Sequence, residues 1–315
     1  MITIMPSALH EDTKTRRTRR FLLLACLFAA LAYLARLTPA PATAAATLQR
    51  PDAQPSRIIS LIPAVTEMLF AIGAGAEVIA VSSFDEYPPE VRTLQRVGAL
   101  LDPDLEKILA LRPDLVVVYG SQTDLRQQLD RAGIPQFVYT HGGLADVTVT
   151  MRALGERTGH SGQASATATA IENALAGIAA RVAGRPRPRA LMVFAREAGA
   201  LRGIFASGGV GFLHDMLVAA GGINVFADVQ RQSVQATSEL ILARRPDVIL
   251  ELRGDPIPQE QQTRERRSWN VLSSVPAVRT GRVHLIADAR VVVPGPRVAE
   301  GTALLARALH PDAFR

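Results

Sequence analysis

The chain has 315 residues, 48% of them apolar and 20% charged, which is enough for about two ordinary domains and too apolar for wholesale disorder. Its formal net charge is +6, but residues 1–44 hold six basic and two acidic side chains, so the remainder sits near +2 and lacks the basic excess of a nucleic-acid binder. One cysteine, Cys26, excludes a disulfide framework.

In chain order, Lys14, Arg16, Arg17, Arg19 and Arg20 precede the fifteen-residue run FLLLACLFAALAYLA, and Ala42-Thr43-Ala44 fits a small-residue cleavage site. That order reads as a secretory signal peptide over residues 1–44, since the run falls short of the about 20 residues a membrane span needs. An uncleaved anchor is the alternative, and LLAC, ending at Cys26, is a weak lipoprotein-like tether. TRRTRRFLL partly matches a twin-arginine export signal, so the export route stays open. Residues 45–56 form a polar linker.

From Arg57 strand and helix signals alternate. RIISL predicts a strand, VTEMLFAIGA a helix ending at glycine, EVIAVS a strand and DPDLEKILAL a helix capped by Asp102 or Asp104 and stopped at Arg112-Pro113. DLVVVY is a continuous apolar run, as a strand buried on both faces requires. TDLRQQLDRAG predicts a helix and PQFVYT a further strand. This rhythm predicts a parallel α/β lobe over residues 57–160.

Residues 161–184 read as one long connecting helix, with Ile171, Leu175, Ile178 and Val182 on a single stripe and GRPRPR ending it. The rhythm resumes over residues 185–315, predicting a second α/β lobe: strands RALMVFA, GIFA, DVILEL and RVHLIA, and helices GVGFLHDMLVAAGG, SELILARRP and VAEGTALLARALH. The halves also match internally. LEKILALRPDLVVV pairs with SELILARRPDVILE, aligning Glu106 with Glu239 and Arg112-Pro113-Asp114 with Arg245-Pro246-Asp247, and EMLFAIGAG from Glu67 pairs with DMLVAAGGI from Asp215. Two collinear matches predict one lobe design used twice.

Enzyme signals are weak. His141, His160, His214, His284 and His310 show no zinc-site spacing, and neither a nucleophile elbow, a P-loop nor a complete G-x-G-x-x-G is present. Two parallel lobes instead predict a ligand crevice outside the carboxyl ends of their strands. Phe84, Tyr87, Tyr119 and Phe205 become candidate wall residues, with local packing as the alternative for each. Glu106 and Glu239 sit near the start of equivalent helices, where a carboxylate complements the helix dipole; two matched carboxylates on one rim also suit a two-fold partner offering an arginine to each.

The segments RIISLIPAVTEMLFAIGAG, VSSFDEYPPEV, RVGALLDPDLEKILALRPDLVV, AGGINVFADV, WNVLSSVPAVRTGRVHLI and PGPRVAEG together resemble the substrate-binding proteins of ABC importers for cobalamin, iron-siderophores and haem, over nearly all of residues 57–311. The resemblance implies two Rossmann-like lobes on one rigid helix, a ligand cleft between them, and docking of Glu106 and Glu239 on arginines of an inner-membrane permease. It implies an aromatic cage at Phe84, Tyr119 and Phe205, with Leu100 and Ser233 standing where the cobalamin-binding branch has tryptophan. Ala99 follows Gly98 where the haem-binding branch has a tyrosine ligand, which disfavours haem. Arg231, Arg290 and Arg297 lie in segments expected near the cleft.

The expectation is a periplasmic carrier that performs no chemistry, binds cobalamin or a related corrinoid, acts as a monomer, needs no resident cofactor or metal, and does not bind nucleic acid. A ferric-siderophore receptor of the same build and a two-lobe enzyme are the alternatives.

Overall fold

The computed structural model describes residues 54–315, so the expected signal peptide lies outside the described residues. The first half runs β1 (Ile58–Ser60), α1 (Pro63–Ala71), β2 (Val78–Val81), β3 (Gln95–Arg96), α2 (Leu105–Ala110), β4 (Leu115–Tyr119), α3 (Thr123–Arg131) and β5 (Gln136–Tyr139). Next come α4 (Leu144–Thr158) and α5 (Ser161–Val182). The second half runs β6 (Arg189–Ala195), β7 (Ile204–Ser207), α6 (Phe212–Ala219), β8 (Ile223–Asn224), β9 (Ser233–Ala236), α7 (Ser238–Arg244), β10 (Val248–Arg253), α8 (Gln259–Ser268), α9 (Pro276–Arg279), β11 (Val283–Ala287) and α10 (Val298–Leu309).

The first sheet has the order β3-β2-β1-β4-β5 and every pair is parallel. Its inner strands are the predicted apolar runs, and Leu115 to Val118 are wholly buried. The second sheet corrects the expectation of a parallel lobe. Its order is β11-β10-β6-β7-β9, and β7 and β9 are antiparallel to their neighbours. Only residues 196–203 separate β6 from β7, far fewer than the dozen or more a parallel crossover needs. β8 still pairs in parallel with the amino end of β6, while β7 takes its carboxyl end. Beneath this insertion β8-β6-β10-β11 reproduces β2-β1-β4-β5.

The repeat holds at the level of single atoms. α2 is capped by Asp104, whose carboxylate accepts from the Lys107 amide at 2.9 Å, and α7 by Thr237, whose hydroxyl accepts from the Leu240 amide at 3.2 Å. Each helix ends on an arginine in the left-handed region, Arg112 at φ 47° and Arg245 at φ 48°, directly before a proline that cannot continue it. Arg57 then reaches the Leu111 and Arg112 carbonyls, and Arg189 the Arg244 carbonyl. Asp114 accepts from the Arg57 amide as Asp247 accepts from the Arg189 amide.

α5 spans 22 residues, about 33 Å at 1.5 Å per residue. Ile171 and Val182 of the expected stripe are buried, and Leu175 and Ile178 are partly so. The rod is not solitary. α4 packs against it so closely that a Cβ on Gly155 would stand 2.3 Å from the Ala164 Cβ. The main apolar cluster runs unbroken from Ile58 and Leu115 through Met151, Leu154 and Ile171 to Met216, Leu250 and Leu305. The two sheets therefore share a core across the helix pair, while their opposite faces carry separate clusters around Ile108 and Trp269.

His284 on β11 keeps a buried Nε2 without a hydrogen-bond partner among the described residues, and burial, then Arg282 and Arg266, pushes its pKa down. The unfolded chain thus takes up a proton that the folded one resists, so stability is lost as pH falls through about 6.5 and is intact above it. Burial depresses His141 and His310 in the same direction. His284→Leu is expected to narrow the gap between thermal midpoints measured at about pH 7.5 and about pH 5.5. An unchanged gap would assign the acid loss to other groups.

Candidate functional site

The loops at the carboxyl ends of the first sheet's strands are hydrogen-bonded to one another in series. After β2, the Ser83 amide donates to the Gly98 carbonyl at 2.7 Å, joining the segment after β3. The Gln122 side chain then ties that segment to the end of β4: Nε2 donates to the Leu100 carbonyl at 3.0 Å, and Oε1 accepts from the Tyr119 amide at 2.9 Å. Asp85 shapes the first loop. Its buried carboxylate accepts from the Ser82 amide and hydroxyl, and burial raises its pKa. Around this frame apolar side chains face outward, with Phe84 71% and Leu101 93% exposed.

An aromatic series continues the wall toward the second half. Tyr119 meets Tyr139 edge-on at 5.7 Å between centroids, the Tyr139 hydroxyl lies 3.2 Å from His141 Nδ1, and His141 meets Phe212 edge-on at 5.2 Å. Phe212 opens α6 directly after Gly211, which takes a φ of 92°. Here lies a cavity of 310 Å³ lined by His141, Phe194, Val210, Leu213, Ser233 and Val292 among others, largely apolar and between the halves. Burial lowers the His141 pKa, favouring the neutral imidazole, and raises those of Tyr119 and Tyr139, keeping both phenols protonated.

The repeat-related acids Glu67 and Asp215 each cross to the opposite half. Glu67, buried on α1, accepts from Arg297 Nε at 2.9 Å and also from its Nη2. The same guanidinium lies 3.8 Å from the Tyr87 ring centroid. Asp215 on α6 accepts from the Leu144 amide at 2.8 Å, at the start of α4. Burial raises the Glu67 pKa against the pull of Arg297. Arg297→Ala leaves a buried carboxylate without its partner and is expected to lower stability by about 2 kcal/mol. Glu67→Gln in that background should recover part of the loss in a denaturant titration; no recovery would argue against the pair.

Among the sequence-derived candidates, Phe84, Leu100 and Tyr119 are brought together by the hydrogen-bonded loops, and Ser233 lines the cavity. Tyr87 is half-exposed beneath Arg297. Phe205 stands beside Ala195 on β7, half-exposed and outside the cavity lining. Arg231 is exposed and makes no ion pair among the described residues, whereas Arg290 is already clamped by Asp288 and Glu300. Glu106 and Glu239 are exposed in the first turns of α2 and α7, in matching register to the two caps. Hydrogen bonding to its own amide and to Thr237 lowers the Glu239 pKa. Glu67, Asp85 and Gln122 fall in the segments IPAVTE, SFDEYPP and YGSQ that strand ends mark as crevice-lining, but their individual roles, and any role of His141, are not legible there.

The periplasmic binding protein family matches residues 58–289. The chain belongs to that family. It is 30% identical over 267 residues, 83% of this chain and 82% of the relative, to an uncharacterized ABC transporter substrate-binding lipoprotein of Bacillus subtilis. It is 34% identical over 196 residues, 62% of this chain and 71% of the relative, to a vitamin B12-binding protein of Salmonella typhimurium. Among solved structures, the periplasmic heme-binding protein of Roseiflexus sp. RS-1 superposes with a TM-score of 0.70 at 25% identity, over 82% of this chain and 99% of that one. The periplasmic vitamin B12 binding protein of Vibrio cholerae gives 0.70 at 22%, over 83% and 99%, a likeness of fold. This periplasmic binding protein is thus a substrate carrier of an ABC importer, working with a membrane permease and a small-molecule cargo, and it is not an enzyme.

Proposed function

We propose that this carrier captures a corrinoid in the cleft and presents it to the permease through Glu106 and Glu239. The observation that carries the reading is the exposed apolar rim of Phe84, Leu100 and Leu101, with partly buried Tyr119 tied to it through Gln122, which suits a large flat ring. Relatives named vitamin B12-binding proteins, 29% to 34% identical, support the same cargo. Export by a signal peptide over residues 1–44 and action as a monomer belong to the same proposal. A haem cargo is the second reading, favoured by the likeness to the Roseiflexus heme-binding protein; a ferric siderophore is the third. Calorimetric titration with cyanocobalamin, hemin and a ferric hydroxamate separates them. Saturable heat from cyanocobalamin alone is expected, and silence toward every corrinoid would sink the proposal. Trp269 is a poor reporter for this purpose, being wholly buried beside Glu251 and Arg196 in the second half.

A further inference from the structure

We infer that His141, through Nε2, supplies an axial ligand to the metal of a tetrapyrrole held in the cleft, an inference that rests on the corrinoid reading above. His141 lines the cavity between the halves. Its Nδ1 lies 3.2 Å from the Tyr139 hydroxyl, and its ring is held edge-on against Phe212 at 5.2 Å. When Nδ1–H donates to Tyr139, Nε2 keeps its lone pair, the arrangement that orients a metal-binding imidazole.

The lone histidine also limits the kind of metal it serves. No group of three or more His, Cys, Asp or Glu fit to hold a metal ion occurs among the described residues. A single imidazole therefore suits a metal that arrives with its equatorial positions filled by a chelate and an axial face free. Phe194, Val210, Leu213 and Val292 give that chelate an apolar wall. The step is a ligand exchange: the Nε2 lone pair displaces a metal-bound water, the water leaves to solvent, and neither the metal's oxidation state nor any proton count changes.

The test records absorbance spectra of the purified protein with aquocobalamin, whose axial water exchanges, with cyanocobalamin, whose upper site is filled by cyanide, and with hemin. Wild type is expected to bind both corrinoids and to move the bands of aquocobalamin alone to those of an imidazole adduct. His141→Ala, with its fold checked by thermal unfolding, should lose that shift and lose more affinity for aquocobalamin than for cyanocobalamin. Tyr139→Phe should weaken the aquocobalamin complex by about tenfold. Bound aquocobalamin with unmoved bands, or an equal shift in His141→Ala, overturns the ligand role and leaves the corrinoid reading standing. Hemin binding without corrinoid binding, with a nitrogen-ligated spectrum lost in His141→Ala, sinks the corrinoid reading and keeps the ligand role. Binding of none of the three overturns both.

Discussion

Replacing Glu106 and Glu239 together with arginine is expected to cut cargo uptake by more than about tenfold while leaving cargo affinity in solution unchanged, because like charges set against a docking partner cost several kcal/mol. Both carboxylates are exposed, and they occupy the same turn of α2 and α7 relative to the caps Asp104 and Thr237. An exposed ion pair adds little stability, so neither glutamate is expected to matter to folding. Single reversals should give intermediate losses. Normal uptake by cells carrying the double variant would refute docking through these residues, and weakened cargo binding by the purified variant would place them in the site instead.

Arg196→Ala is expected to be the most damaging substitution to stability, at about 4 kcal/mol. The guanidinium is fully enclosed and all its nitrogens are used: Nε and Nη2 on Glu251, Nη2 also on Glu265, and Nη1 on the Glu197 and Ala200 carbonyls. Glu251 further accepts from Trp269 Nε1 at 3.0 Å and from Arg253 at 2.8 Å. Removing the cation leaves two buried carboxylates with Arg253 as their one remaining cationic neighbour among the described residues, which is costlier than replacing the whole group by apolar side chains. The network fastens residues 196–202 and α8 to the carboxyl ends of β6 and β10, so cargo affinity should fall alongside the denaturation midpoint. A loss below about 1 kcal/mol would show that the surroundings relax or admit water.

What the sequence could disclose was local. The helix stop Arg-Pro-Asp, the buried runs of β4 and β10 and the stripe on α5 are nearest-neighbour patterns, and the duplication followed from reading two such patterns in register. α4 was harder. Val147, Thr148, Val149 and Thr150 are β-branched and weaken a helical reading, and packing on α5 overrides them. The helix α8 is polar on every side, so periodicity had nothing to mark. The direction of β7 and β9 depends on pairing, which alternation alone does not reveal. In the site, Phe84 and Tyr119 were legible as aromatics just past strands. Glu67 and Arg297 were not legible as a pair, being 230 residues apart, nor was the bridging role of Gln122.

The unbroken core through α4 and α5 also bears on traffic at the membrane. A carrier fastened in this way is expected to keep nearly the same silhouette with and without its passenger. Vacant copies then queue at the same gate as laden ones, and in a cell starved of cargo, making more carrier should slow import rather than hasten it.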